Sequence, residues 1–403
     1  MIIGNADMNY KKSKIGILEF CVENKRRGEA FADKEYSMSN AFRGKCFAPT
    51  IHRSLKSPKN RTVLIFILLS IFGFLIPFTA EGRDAGTSGS AMLKIGVGAK
   101  TTGMGEASVA LSDDLSGIYW NPAGLVQLRN SQLSAMHIEW FDDIRYEWLG
   151  FAQPISSRAT IAADISYLYM GSISRTVESV SEEYEEDGTF SPVDMAGRVA
   201  LSVKAFRNLL LGASLQRIQS RVTFDSVTKE RISDKSGQGI AIDLGGIYNI
   251  AKVPGLTVGG CLQNLGNQTK AYITDKAPMP FAVSAGLAYK VQMKNEKKPA
   301  TEEKKQPEDA PKPEAKSSPN TLTIASDLYF PADDSVNAHL GAEYRFGNGV
   351  SLRGGYRTGT GLEFPSGLSA GIGYNSPDYQ VDYAFVPYGD LGGTHRISFT
   401  VRF

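Results

Sequence analysis

Cysteine and net charge are both scarce in this sequence. Only three of its 403 residues are cysteine, and Cys21 and Cys46 precede the first long apolar stretch. Cys261 is therefore alone in the rest of the chain, which excludes an internal disulfide and a CxxC metal site there. The formal net charge is only +2, so we expect no nucleic acid partner.

Long hydrophobic runs are also scarce. The longest uncharged one, residues 63–76, follows a basic stretch that ends at Arg61. It is shorter than the roughly 20 apolar residues of a membrane-spanning helix and fits the hydrophobic core of a signal peptide. We predict a signal peptide at 61–82, with a retained anchor as the alternative. Residues 1–60 are then an N-terminal extension or the result of a misassigned start.

Alternation of apolar and polar residues dominates the sequence from residue 131 to the end. At the C-terminus, Ile397, Phe399 and Val401 alternate with polar residues, which indicates a strand with one apolar and one polar face. The same pattern predicts strands near 131–140, 145–154, 158–170, 194–205, 208–220, 238–250, 254–264, 279–291, 321–330, 336–346, 349–357, 366–374, 378–387 and 394–403.

The polar face of these strands carries more charge than the core of a soluble protein would tolerate. Aromatic residues such as Tyr289 and Phe403 end the apolar face, as expected at a membrane interface. We therefore predict an all-β fold, a fourteen-stranded antiparallel transmembrane β-barrel at 131–403 in the cell outer membrane, with membrane lipid around it. A soluble β-sandwich or barrel is the alternative.

Charges of both signs on the predicted polar face would line the barrel lumen. We expect Arg345 to pair across strands with Asp327, and Asp382 with Arg396. The whole predicted network comprises Asp327, Glu343, Arg345, Arg353, Asp382 and Arg396. Such pairing favours a closed lumen over a water-filled pore.

One connection between predicted strands differs from the others in composition. Residues 294–320 are rich in Lys, Glu and Pro and contain no aromatic residue, which is typical of a disordered linker. If Phe403 lies at the periplasmic end, the short connections and this linker are periplasmic, and the longer connections face outside. The linker is either a tolerated insertion or a tether for a periplasmic partner.

Residues 83–130 do not alternate and are Gly-rich, so they are predicted to form a partly helical N-terminal hatch. Asn121, Pro122 and Ala123 form its turn motif. The chain has only four His and neither a G-x-S-x-G nor an H-E-x-x-H motif, so we predict no enzyme activity, cofactor or metal site. The alternation places His137 and Glu139 together on the polar, lumenal face of the first strand.

Several short motifs are spread over residues 83–403. They are Gly98-Ala99, Gly103-Met104-Gly105, Ala110 with Asp113-Asp114, Trp120-Asn121-Pro122-Ala123-Gly124, Tyr146-Glu147 with Leu149-Gly150, Gly171-Ser172-Ile173 and His395-Arg396-Ile397-Ser398. Together they resemble the PorV/PorQ family, which is related more distantly to FadL-type outer-membrane transporters. The resemblance implies a fourteen-stranded barrel with its N-terminal segment in the lumen.

The resemblance also implies two functions. PorV-like members serve type IX secretion, receiving exported cargo at the outer membrane and passing it to a surface attachment complex. FadL-like members carry hydrophobic molecules inward and hold such a ligand in the lumen. We predict a non-enzymatic barrel that handles secreted cargo, with FadL-like transport of hydrophobic small molecules as the alternative.

Overall fold

A computed structural model describes residues 88–403 except 141, 179–183, 226–234, 272–275, 294–317 and 360–364. The predicted N-terminal extension and signal peptide lie outside the described residues. So do residues 83–87 of the predicted hatch and all but the last three residues of the predicted linker. The boundaries of these segments therefore stay predictions.

The described chain is built mainly from long strands. They are β1 (Gln132–Glu139), β2 (Arg145–Ser156), β3 (Ala159–Tyr169), β4 (Ile173–Glu178), β5 (Tyr184–Lys204), β6 (Leu209–Phe224), β7 (Lys235–Asn249), β8 (Leu256–Lys270), β9 (Ala282–Met293), β10 (Asn320–Pro331), β11 (Asn337–Arg345), β12 (Val350–Arg357), β13 (Leu368–Asn375), β14 (Tyr379–Pro387) and β15 (Gly393–Arg402).

These strands form one antiparallel sheet that closes on itself. The first strand, β1, pairs with both β2 and β15, and a pairing between β3 and β5 completes the ring. Strand β4 pairs only with the beginning of β5, so it stands outside the ring, and the remaining fourteen strands make the barrel. The predicted fourteen-stranded antiparallel all-β fold is therefore confirmed.

One part of the strand prediction is wrong. The connection between the predicted strands near 158–170 and 194–205 is not a simple loop, because it contains β4 and the first residues of β5, which pair as a hairpin beyond the barrel ring. Apolar and polar residues do not alternate there, because neither face of the described part of the hairpin is buried. Cross-strand hydrogen bonds hold this hairpin without a buried face.

Burial alternates along the strands, with polar residues inside and apolar residues outside. Asp243 and Arg353 are 1% and 6% exposed, whereas Leu133 and Ile397 on the outer face are 43% and 50% exposed. The polar residues of β7 and β12 therefore point into the barrel, as predicted from the sequence.

The first strand is an exception, and its predicted phase is wrong. His137 and Glu139 face outward, and the His137 ring lies 2.8 Å from the carboxylate of Glu147 on the outer wall. Met136 and Ile138 point inward instead and are almost fully buried. The phase is reversed because the inner wall is apolar here, where it packs against the N-terminal segment.

The N-terminal segment, residues 88–130, is folded against the inward face of the barrel. It contains two short helices, α1 (Ala99–Thr102) and α2 (Gly117–Trp120), and two 3-10 turns at Ala91–Lys94 and Pro122–Gln127. Its apolar side chains are buried in clusters that they share with residues of the strands. Among the described residues, no helix is both long enough and apolar enough to cross a bilayer.

Candidate functional site

Asn121, Pro122 and Ala123 fix the N-terminal segment to the barrel wall. The Asn121 side chain is fully buried, and its oxygen accepts a hydrogen bond from the Ala123 amide at 3.1 Å. Its Nδ2 donates to the Val109 carbonyl at 2.7 Å and lies 3.2 Å from the Gly246 carbonyl of β7. Pro122 begins the following 3-10 turn, where its missing amide hydrogen costs nothing. Asn121 Nδ2 also lies 3.3 Å from the Gly260 carbonyl of β8, so the motif joins two parts of the segment to each other and to two neighbouring strands.

Two inward-facing glycines let the segment approach the wall this closely. A β-carbon at Gly245 of β7 would lie 2.0 Å from Asn121 Oδ1, and one at Gly355 of β12 would lie 2.0 Å from the Gly105 amide nitrogen. Real β-carbon contacts essentially never fall below 3.0 Å. Any other residue at either position would push the N-terminal segment away from the wall.

Four of the six predicted lumen charges lie together. Arg353 is bonded to Glu343 at 2.7 Å and to Asp382 at 2.8 Å, and Arg345 lies 3.1 Å from Glu343. Arg353 reaches Asp382 across Gly373 of the intervening strand, whose β-carbon would meet both side chains. The opposite charges here compensate one another within the barrel interior.

The two pairings expected from the sequence do not form. Arg345 pairs with Glu343 rather than with Asp327, because Asp327 stands opposite His339 in the sheet. Asp382 stands opposite Ser398, and Arg396 stands opposite Ala384. Neither Asp327 nor Arg396 therefore belongs to the network around Arg353.

Asp327 and Arg396 bind the backbone of the N-terminal segment instead. The Asp327 carboxylate accepts hydrogen bonds from the Ser108 and Val109 amides at 2.6 and 2.8 Å. The Arg396 guanidinium donates to the Gly96 carbonyl at 3.0 Å and to the Thr102 hydroxyl at 2.9 Å. Both side chains, at about 2% exposure, attach the segment to two separate strands, β10 and β15.

An acid–base cluster holds the segment at the barrel end that carries the short connections. The Lys100 ammonium lies 2.5 Å from Asp113 and 3.2 Å from Asp114, and Lys290 of β9 lies 3.0 Å from Asp113. Burial alone would lower the pKa of Lys100, but the two carboxylates raise it above its ordinary value. Burial would likewise raise the pKa of Asp113, which the two lysines hold well below its ordinary range.

A cavity of about 230 Å³ lies at the opposite end, where the β10–β11 and β12–β13 connections are. The N-terminal segment contributes part of its lining and the strands contribute the rest. The lining residues are Lys94, Glu106, Tyr119, Trp120, Gln263, Tyr329, Pro331, Asp334, Asn337, His339, Arg357, Thr358 and Gly359.

Aromatic rings form much of the cavity wall. Tyr119 and Trp120 of α2 pack edge to face with centroids 4.8 Å apart, and the rings of Tyr329 and His339 lie 6.1 Å apart. Arg198 of β5 lies 5.4 Å above the Tyr119 ring and donates to the Ile118 carbonyl at 2.9 Å. Arg198 therefore fixes the helix that presents the Tyr119 and Trp120 rings.

Glu106 joins the cavity wall to the barrel. Its carboxylate lies 2.8 Å from the Arg357 guanidinium and 3.7 Å from that of Arg396. Burial alone would raise the pKa of Glu106, but these two guanidinium groups lower it below its ordinary value. Glu106 is therefore a carboxylate at neutral pH, and it links the N-terminal segment to two strands. Within the described residues, no group of three His, Cys, Asp or Glu side chains is placed to hold a metal ion.

The cavity residues carry no shared signal in the sequence that marks them as a set. Arg357 could have been predicted to face inward, because it lies on the same strand as Arg353 and strand residues separated by an even number of positions share a face. Glu106 and Tyr119 carry no such signal, because the N-terminal segment has no regular period and its path through the barrel depends on contacts distant in sequence.

Comparison with known proteins supplies a family and a set of similar folds. Residues 79–292 match the uncharacterised protein family UPF0164, and no curated protein matches the sequence. Among solved structures, the toluene transporter TbuX of Ralstonia pickettii is 13% identical with a TM-score of 0.49, covering 76% of this chain and 98% of that one.

Two further solved structures are similar at a comparable level. The toluene transporter TodX of Pseudomonas putida is 11% identical with a TM-score of 0.45, covering 76% of this chain and 97% of that one. A FadL homologue of Pseudomonas aeruginosa is 13% identical with a TM-score of 0.43, covering 80% of this chain and 100% of that one. Likeness at this level assigns no substrate to the present chain. The family match spans more than half of the sequence, and the chain therefore belongs to the uncharacterised protein family UPF0164.

Proposed function

We propose that this chain is a non-enzymatic outer-membrane barrel that admits small, largely hydrophobic molecules, with the N-terminal segment acting as the hatch. The outward face of the strands is apolar and the inward face is polar, which is the pattern of a barrel surrounded by lipid. The closed ring leaves no unpaired edge within the fourteen strands described above, as a bilayer requires.

The cavity is the observation that carries the transport proposal. It lies at the end of the barrel opposite Met293 and Asn320, and Glu106, Tyr119 and Trp120 of the N-terminal segment form part of its wall. An engineered apolar cavity of about 150 Å³ binds benzene, so about 230 Å³ accommodates one substituted ring or a short chain. A molecule held there rests directly on the hatch.

The sequence prediction that put secretion first is not carried into this proposal. Within the described residues we find no feature that favours service in type IX secretion. The PorV/PorQ resemblance, with a cargo protein or a surface attachment complex as partner, stays a prediction from sequence.

Uptake measurements test the transport proposal. We expect a strain lacking the gene to accumulate a radiolabelled single-ring compound such as p-cresol more slowly, and the intact gene to restore the rate. Asn337→Trp, which places an indole in the cavity, should fail to restore it although the barrel still assembles. Planar-bilayer recording should show little steady conductance, because the hatch occupies the lumen. Equal uptake in all strains, or large stable porin-like steps, would refute the proposal.

A further inference from the structure

We infer that a groove on the outer wall of the barrel, where β15, β1, β2 and β3 lie side by side, binds one phospholipid that carries a primary ammonium group. The inference requires that lipid surrounds the barrel, but it does not depend on transport through the lumen. Three features support it: a polar cluster at one end of the groove, the charges that this cluster leaves available, and the apolar surface below.

The polar cluster consists of outward-facing ionisable residues on three adjacent strands. Glu139 of β1 stands opposite Arg145 of β2 on one side and opposite His395 of β15 on the other. His137 stands opposite Glu147 of β2, and the His137 ring lies 2.8 Å from the Glu147 carboxylate. All five residues lie close to the β1–β2 or β14–β15 connection. On a lipid-facing wall, charged side chains are tolerated best at this level, where headgroups lie.

The outward residues farther along the same strands are apolar. Leu133 of β1, Leu149 and Phe151 of β2 and Phe399 of β15 are all exposed large hydrophobic residues. The outer wall therefore changes from ionisable to apolar along these strands. A phospholipid presents its groups in the same order, with a polar headgroup at the membrane surface and apolar chains beneath it.

A groove of about 510 Å³ connects the polar cluster to this apolar surface. Ala135 stands opposite Phe399 on one side and Leu149 on the other, so a methyl group lies between two large side chains and leaves a depression there. His137 and Glu147 line the groove together with these three residues. An acyl chain can therefore lie against the apolar side chains while its headgroup reaches the cluster.

Two charges of the cluster are available to a headgroup. Within the described residues, neither Glu139 nor Arg145 forms an ion pair or a side-chain hydrogen bond, although they stand opposite each other. Glu147 contacts His137 through one carboxylate oxygen, and its side chain is 42% exposed. A guanidinium group such as that of Arg145 binds phosphate with paired N–H donors. The carboxylates are available to accept hydrogen bonds from a cation.

The balance of these groups favours a headgroup with an ammonium group beside its phosphate. His137 is bonded to Glu147, and the His395 ring lies 2.8 Å from the Tyr383 hydroxyl, so both imidazoles already have partners. A primary ammonium has three N–H donors for the Glu139 and Glu147 carboxylates. A trimethylammonium group has no such donor, and a headgroup without a cation would bring its negative charge close to two carboxylates.

Native mass spectrometry tests this preference directly. The purified protein, freed of lipid in detergent, is mixed with equal amounts of palmitoyl-oleoyl phosphatidylethanolamine, phosphatidylcholine and phosphatidylglycerol, which differ only in the headgroup. We expect phosphatidylethanolamine to be retained as a single adduct at least about threefold more often than either of the others, because exposed ion pairs each contribute modestly.

Two variants and one control locate the site. Glu147→Gln removes the charge but keeps an oxygen for His137, and it should abolish the preference among the three lipids. Ala135→Phe fills the groove and should reduce retention of all three. Arg217→Gln is the control, because Arg217 of β6 is also exposed on the outer wall, where it donates to Gln238 at 3.1 Å, but lies outside the groove. It should keep the wild-type ratio. Heat-modifiable migration on gels shows that each variant is still a folded barrel.

The outcomes either support or overturn the inference. Equal retention of the three lipids by the wild type, or a preference for phosphatidylcholine or phosphatidylglycerol, would show that the cluster does not select an ammonium headgroup. A preference that survives in Glu147→Gln, or full retention by Ala135→Phe, would show that the lipid binds elsewhere on the wall. None of these results bears on the transport proposal, which the uptake measurements test separately.

Discussion

Replacing Asn121 by leucine tests whether one buried amide fixes the hatch. Leucine has a similar volume but neither donates nor accepts a hydrogen bond. The change removes the bonds from Asn121 to the Val109 and Gly246 carbonyls and the bond that it accepts from the Ala123 amide. The barrel itself should persist, because the strand ladders supply their own hydrogen bonds.

The expected cost follows from the burial of the groups that lose a partner. Asn121 is fully buried, so the Val109 carbonyl and the Ala123 amide are left unsatisfied away from water. Each such group costs about 1–3 kcal/mol. The total is therefore about 2–6 kcal/mol in the free energy that docks the N-terminal segment. At about 1.4 kcal/mol for each factor of ten, amides of this segment should exchange with solvent roughly 30-fold to 20,000-fold faster.

Hydrogen exchange and limited trypsin digestion measure this effect. Lys100 is only 6% exposed, so trypsin should cut after it in Asn121→Leu and not in the wild type. The control is Asn348→Leu, since Asn348 also accepts a backbone hydrogen bond, at 3.2 Å from the Val350 nitrogen, but in an exposed turn. If exchange in residues 96–128 is unchanged in Asn121→Leu, the motif does not fix the hatch and our account of it fails.

Three further changes probe the hatch and the linker. Gly355→Val should displace the turn at Gly105 from the wall and expose the segment to trypsin. Gly354→Val is the control and should not, because nothing lies within 4 Å of a β-carbon there. Equal protection of the segment in both variants would argue against the close approach. The pKa of Glu106 lies below its ordinary value of about 4.3, so its contribution to docking of the segment is present above that pH and is lost as the pH falls further. Glu106→Gln should reduce the increase in hydrogen exchange of the segment at acid pH. An unchanged increase would assign the effect to other groups. Replacing 294–317 by a short turn should leave heat-modifiable migration intact, because β9 and β10 remain paired as far as Met293 and Asn320; failure of the barrel to assemble would contradict this.

The strands could be predicted from the sequence because the medium on each side of the wall differs. Where one face meets apolar surroundings and the other meets polar groups, apolar and polar residues alternate along the strand, and the type of each residue indicates the side of the wall that it faces. This holds in β7, where Ile240, Ile242 and Leu244 face outward and Asp243 faces inward. The barrel and its strand count follow from repetition of that pattern.

The cavity and the charge pairs could not be predicted in the same way. Alternation gives the side of the wall but not the register between neighbouring strands, and register decides that Arg345 meets Glu343 and not Asp327. The path of residues 88–130 depends on single long-range contacts, such as the Asp327 carboxylate with the Ser108 amide. No local propensity specifies contacts of this kind.

The places where alternation fails mark the path of the N-terminal segment. Met136 and Ile138 break the polar inner face because this segment supplies an apolar partner there. Gly245 and Gly355 leave gaps in that face because the backbone of the segment fills them. A barrel filled only by water would need neither, since water solvates polar side chains and takes up any gap. Apolar residues and glycines on the lumenal face therefore indicate, in the sequence of a barrel, where an internal segment packs against the wall. Substitutions at these positions should loosen the N-terminal segment at a smaller perturbation than is needed to unfold the barrel wall.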